Sequence, residues 1–192
     1  ELWAYDNQLK ELPELPAGLT QLVAYNNQLK ELDLSNLANL NIVDIRNQTP
    51  QFEYIVTEDS NYKILDVPTK NLSDIMINGT AYNSYDNSGS ITVSSKPTSF
   101  TYNYDTGLDK RGQDIMMDVT ATLVELTSIS VKNAPDKTLY AAGETFDPTG
   151  LVITLNYGDG STKDVAYDDS TKDDFTFSPD LNTALQASHD KV

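Results

Sequence analysis

The hexapeptide Asn-Gln-Leu-Lys-Glu-Leu occurs twice in the first 32 residues, at Asn7 to Leu12 and at Asn27 to Leu32, each time after Leu-x-Ala-Tyr-x. A twenty-residue period with its apolar positions in step restricts the chain to stacked coils, because one such coil cannot bury its leucines except against the next. The chain therefore opens inside a repeat array.

Aligned on L-x-x-L-x-L-x-x-N-x-L, the first coil holds Leu2, Ala4, Asn7 and Leu9, and the second Leu19, Leu22, Ala24, Asn27 and Leu29. A third reads Leu40, Val43, Ile45 and then Asn47-Gln48. Val43 lies twenty-one residues beyond Leu22, but Asn47 only twenty beyond Asn27, which reads as one residue lost at the turn where the array ends. These positions resemble the leucine-rich repeat. The proline-braced return Leu12 to Leu19 resembles the short bacterial type of repeat, since proline suits an extended outer edge. Leu32 to Leu40, one residue longer, resembles repeats of Gram-positive surface proteins. Both imply a bacterial source. Glu1 already lies on a coil strand, and two and a half coils are fewer than the roughly three such arrays need, so further repeats are expected before residue 1.

The chain has 192 residues, no cysteine, one histidine, and 29 acidic against 13 basic side chains, a net charge of -16. That balance argues against nucleic acid as a partner, because binding its phosphates needs clustered Lys and Arg. No run of eighteen apolar residues is present to span a membrane. Absence of cysteine and an acidic surface suit export from a Gram-positive cell.

From about Pro50 the pattern changes to short alternating runs separated by Asn, Gly, Ser and Asp, the mark of strands. Ile75-Met76-Ile77 runs into the turn signal Asn78-Gly79, followed by Ile91 to Val93, Phe100 to Tyr104 and Met117 to Leu123. In the last run Met117, Val119, Ala121 and Leu123 share one face, as in an antiparallel sandwich wet on one side. This order resembles the immunoglobulin-like domain that follows the repeats in listerial internalins. A second β unit starts near Thr127 with the strand Ile129 to Val131. Tyr140 to Leu151 resembles the opening of the group 3 bacterial immunoglobulin-like family. Leu151, Ile153, Leu155 and Tyr157 are expected on one face, ahead of a two-residue turn at Asp159-Gly160. Phe175 and Phe177 form a further inward pair, and Leu181 to Val192 approaches a closing strand that does not arrive. The expected fold is therefore mainly β: the C-terminal end of a leucine-rich repeat solenoid (1–49), an immunoglobulin-like β-sandwich adjacent to it (50–126), and a second, incomplete immunoglobulin-like domain (127–192).

Catalytic chemistry finds little support. The only histidine, His189, lies in a polar stretch near the end, where a solvated tail residue is the plainer reading of it than a triad base. Metal sites built on Cys and His are excluded by count, and no phosphate-cradling motif is present. The acidic residues fall mostly in loops and on wet strand faces, which argues against a glycosidase pair. Asp86-Asn87-Ser88-Gly89, Asp159-Gly160-Ser161 and Asp168-Asp169 with Asp173-Asp174 could offer oxygens to calcium, but each doubles as an ordinary turn. No enzyme activity, metal or cofactor is expected.

Binding chemistry is better supplied. Residues between the inward leucines of a repeat strand point to the concave face: Glu1, Trp3, Tyr5 and Asp6; Gln21, Val23, Tyr25 and Asn26; Ile42, Asp44 and Arg46. Trp3, Tyr5 and Tyr25 at roughly 150–250 Å² each approach the roughly 300–600 Å² of a typical functional patch. Trp3, Tyr5, Val23, Tyr25, Asp44 and Arg46 are thus the expected contacts for a protein or glycan on a host or neighbouring cell. The resemblance implies a non-catalytic adhesion module on a Gram-positive cell wall, with immunoglobulin-like spacers holding the repeats away from it. A purely structural stalk and an accessory piece of an extracellular hydrolase are the alternatives.

Overall fold

The computed structural model describes residues 1–172 and 175–186. They fall into two compact units, Glu1–Glu125 and Leu126–Val192, and no α-helix occurs among the described residues.

The first unit opens with three short parallel strands, β1 (Leu2–Trp3), β2 (Gln21–Val23) and β3 (Ile42–Asp44). Leu2 lies opposite Leu22, and Leu22 opposite Val43. Between strands the chain returns through tight turns, with Leu19 N–H donating to Pro16 O (2.8 Å) and Leu37 N–H to Leu34 O (2.9 Å). Leu19, Leu22, Leu29, Leu34, Leu37 and Leu40 are buried in one apolar cluster, each contributing about 1.5–3 kcal/mol.

After each strand one residue enters the left-handed region: Asp6 (φ 54°), Asn26 (54°) and Asn47 (56°), residue types that tolerate it. After Asn26 and Asn47 the residue that follows is buried. Asn27 donates to Ala4 O (2.7 Å) and Ala24 O (3.1 Å) and accepts Leu9 N–H (3.1 Å). Gln48 repeats this one coil on, donating to Ala24 O (2.9 Å) and Ile45 O (3.0 Å) and accepting Leu29 N–H (3.2 Å). The alignment of Asn47 with Asn27 is thereby corrected. Asn47 is the counterpart of Asn26, Gln48 of Asn27, and no residue is lost at the turn. A glutamine carries the same amide donors and acceptor on one more methylene, which residue identity conceals.

The unit continues through β4 (Gln51–Val56), β5 (Tyr62–Ile64), β6 (Leu72–Ile77), β7 (Thr80–Ala81), β8 (Ile91–Val93), β9 (Phe100–Asp109) and β10 (Asp114–Asn133), in the order β7-β6-β9-β10-β4-β5-β8. Up to Ala121, β10 pairs antiparallel with β9; from Thr122 it pairs parallel with β4. One strand therefore serves two sheets, and the expected antiparallel sandwich contains a parallel seam. Asn78 and Gly79 take φ of 52° and 74° with Ile77 opposite Thr80, the geometry of a two-residue hairpin.

Along β9 and β10 alternate residues point inward, so that Phe100, Tyr102, Tyr104, Met117 and Val119 are buried with Phe52 of β4. Phe52 meets Phe100 and Tyr102 edge-on at 5.2 and 6.2 Å. This apolar cluster is continuous with the leucines of the coils. Backbone bonds join the two segments: Leu34 N–H donates to Thr106 O (2.8 Å) and Thr120 N–H to Gln48 O (2.9 Å). The Tyr102 hydroxyl donates to Lys30 O (2.7 Å), and burial pushes its pKa far up.

In the second unit, residues from Leu126 onward of β10 pair antiparallel with β11 (Val152–Tyr157), which pairs with β12 (Thr162–Ala166). The strand expected at Ile129 to Val131 lies within β10, just after a register shift between Leu126 and Ser128. The two-residue turn is also corrected. Of Asp159 and Gly160 only Gly160 has positive φ (85°), and Tyr157 N–H donates to Ser161 O (3.0 Å), which makes a wider turn closed by a left-handed glycine. Leu151 and Tyr157 are buried, whereas the residues between them are half-buried on both faces. Packing here comes from contiguous rings, Tyr140 to Phe146 (5.9 Å), Phe146 to Phe177 (5.5 Å) and Phe177 to Phe175 (6.1 Å). Ala184 bridges antiparallel to Thr145. Residues 187–192, including His189, and Asp173-Asp174 lie outside the described residues.

Candidate functional site

The outer face of the three-stranded ladder carries the expected binding residues in two rows. Register places Trp3, Val23 and Asp44 on one row; Tyr5, Tyr25 and Arg46 follow two residues along each strand. Trp3 and Tyr5 are 59% and 40% exposed. Tyr25 and Asp44 are half-buried, and Arg46 is exposed.

Val23 is corrected: at 7% exposure it offers no open surface. It has a neighbouring rung on each side, so it forms a floor rather than a contact. Ile42, on the open face as expected, is 50% exposed.

Tyr5 and Tyr25 stack with ring centroids 4.9 Å apart and planes 12° from parallel. Trp3 meets Tyr5 edge-on at 6.4 Å. Arg46 grips Asp44 with both ends of its fork, Nε at 2.9 Å and an Nη at 2.8 Å. This bond holds the Asp44 carboxyl below the usual carboxylate range and raises Arg46. Desolvation first, then the charge of Asp6, pushes the Tyr25 phenol up.

A row of polar side chains borders the rings. Asn47 donates to Asn26 (3.1 Å) and Asn26 to Asp6 (2.6 Å). Asp118, from β10, accepts the Asn47 N–H (3.1 Å) and acts electrostatically on Arg46. Repeat-based reading missed Asp118, because it stands 71 residues from Asn47 in sequence and outside the period; only the pairing of Gln48 with Val119 brings it here.

The Asp-rich turns hold their own carboxylates. Asp86 accepts Ser88 N–H (3.1 Å), Asp159 accepts Ser161 N–H (2.8 Å), and Asp168 accepts Ser170 N–H (2.8 Å). The serine bonds lower all three pKa values. Among the described residues no group of three or more His, Cys, Asp or Glu could hold a metal ion, and no helix is long and apolar enough to cross a membrane.

The class defined by these features is a mainly β protein with sandwich-like sheets. Within it, residues 133–181 match the bacterial Ig-like domain (group 3), a domain that occurs in extracellular bacterial surface proteins. No curated protein and no solved structure is significantly similar to the chain.

Proposed function

We propose that the chain is a non-catalytic interaction module of a Gram-positive surface protein. Residues 1–49 are the end of a leucine-rich repeat array of internalin type, 50–126 an adjoining immunoglobulin-like domain, and 127–192 the group 3 bacterial Ig-like domain. The ligand, a protein or glycan of a host or neighbouring cell, meets Trp3, Tyr5 and Tyr25, with Asp44 and Arg46 at the side.

The observation that carries this reading is the exposed aromatic group on the ladder. Exposing a Trp and a Tyr together leaves apolar surface in water at about 25 cal/mol per Å², and Trp, Tyr and Arg dominate interface hot spots. The twenty- and twenty-one-residue rungs, with Asn27 and Gln48 in equivalent places, support the repeat assignment. The match at 133–181 supports the surface setting.

Replacing Trp3, Tyr5 and Tyr25 by Ser tests it. Wild type and triple variant are compared on glycan arrays and on purified extracellular matrix proteins. The variant is expected to lose at least about tenfold in affinity, or ~1.4 kcal/mol, for whatever the wild type binds. Undiminished binding by a folded variant would retire the reading in favour of a structural stalk.

A further inference from the structure

We infer that the open face of the coils takes an electropositive protein surface and not a glycan. The inference rests on the reading just proposed and narrows its ligand. Tyr5 and Tyr25 stand on adjacent rungs, stacked at 4.9 Å, close to the ~4.8 Å spacing of paired strands. Rings stacked along the ladder cover each other's faces and turn edges and hydroxyls outward. A sugar ring lies flat on an open aromatic face, and a row of sugars needs a row of such faces. Here Tyr5 and Tyr25 each give up one face to the other, whereas the indole of Trp3 is stacked on neither ring.

Charge points the same way. Arg46 is paired with Asp44 through two bonds, so the one guanidinium of this face is already balanced by a carboxylate of the same face. Glu1, Asp6 and Asp118 share this face, and none of them has an ion-pair partner among the described residues. One guanidinium against four carboxylates leaves the patch at a formal charge of -3 (1 minus 4). An exposed indole beside carboxylates suits a Lys or Arg side chain, whose cation lies over the ring while its stem covers the tyrosine edges. The net charge of -16 steers basic partners toward the chain and speeds encounter at low salt.

Trp3 is the only tryptophan of the chain, so its emission reports directly on the site. The full chain is titrated with ribonuclease A as a Trp-free basic protein, with the same protein after succinylation of its lysines, and with neutral chito- and cello-oligosaccharides. Ribonuclease A is expected to shift Trp3 emission, with affinity falling steeply as salt rises, while the succinylated form and the oligosaccharides leave it unchanged. The double variant Asp6→Asn, Asp118→Asn keeps an oxygen to accept the Asn26 and Asn47 donors. It is expected to bind ribonuclease A about two- to twentyfold more weakly. The remote pair Glu58→Gln, Asp59→Asn, which changes net charge equally, is expected to bind as wild type. Equal weakening by both pairs would overturn the inference, because attraction would then belong to the whole chain. A Trp3 shift with oligosaccharides but not with ribonuclease A would overturn the inference and leave the proposed function standing. No shift with any probe overturns the inference, and the proposed function falls as well if the aromatic triple variant keeps the array binding of the wild type.

Discussion

Gln48→Leu tests whether the last coil is closed by an amide. Gln48 is fully buried, and its side chain satisfies Leu29 N–H, Ala24 O and Ile45 O. Leucine fills a similar volume but makes none of these bonds. Ala24 O keeps a second donor in Asn27 (3.1 Å), and Arg46 O, which Gln48 also reaches (3.3 Å), keeps Asn26 N–H (3.1 Å), so the groups left unsatisfied are Leu29 N–H and Ile45 O. A buried unsatisfied backbone group costs about 1–3 kcal/mol; with part recovered by the added apolar burial, the expected destabilisation is about 2–4 kcal/mol. At roughly 2 kcal/mol per M of urea, the midpoint of the first unit falls by about 1–2 M. Near-UV circular dichroism follows the transition, since Tyr54, Tyr102 and Tyr104 are all buried in that unit. Asn7→Ala is the control, on the equivalent turn of the first coil. Its side chain bonds Tyr5 O (2.8 Å) in an exposed setting, where water replaces it, and the cost is expected within about 0.5 kcal/mol. Equal midpoints for the two variants would refute the claim that Gln48 closes the ladder from within.

Glu125 is held below the ordinary carboxylate range by Lys96 (2.9 Å) and then by the Tyr54 hydroxyl (3.1 Å). A carboxylate depressed in this way adds stability above its unfolded pKa that is lost as pH falls through the folded one. The urea midpoint of the first unit should therefore drop on acidification from pH 4.5, the usual value for Glu, and Glu125→Gln should flatten that drop; parallel profiles for variant and wild type would contradict it. Gly160 has φ of 85° with open space where a Cβ would lie, so Gly160→Ala should cost the second unit about 1 kcal/mol through the backbone alone. Gly18 has the same open space without positive φ. Gly18→Ala should instead stabilise by about 0.4–1 kcal/mol, and thermal melts that rank the two the other way would discredit the turn assignment.

Much of the fold could be read from residue order, because its rules are local. A twenty-residue echo placed Leu2 and Leu22 on neighbouring rungs, where they lie. Alternation placed Met117 and Val119 inward, and both are buried. Asn78-Gly79 marked its hairpin. Of the candidate contacts, Trp3, Tyr5 and Arg46 are open. Where the rule was a residue type instead of a position, it misled. Gln48 does the work of an asparagine, and Asp159-Gly160 closes a wider turn than its two letters suggest.

Long-range packing set the remainder. Alternation says which way Val23 points, but not that the adjoining rungs close over it. No period relates Asp118 to Asn47, which meet because β10 runs alongside the segment leaving the last coil. Nor does any local pattern show that Tyr102 reaches Lys30 and joins the leucines of the coils to the sandwich in one core. Periodicity is imposed by backbone geometry one strand at a time and so is written in neighbouring residues. Burial and charge environment arise only when distant segments exclude water together, and that information resides in the packed chain.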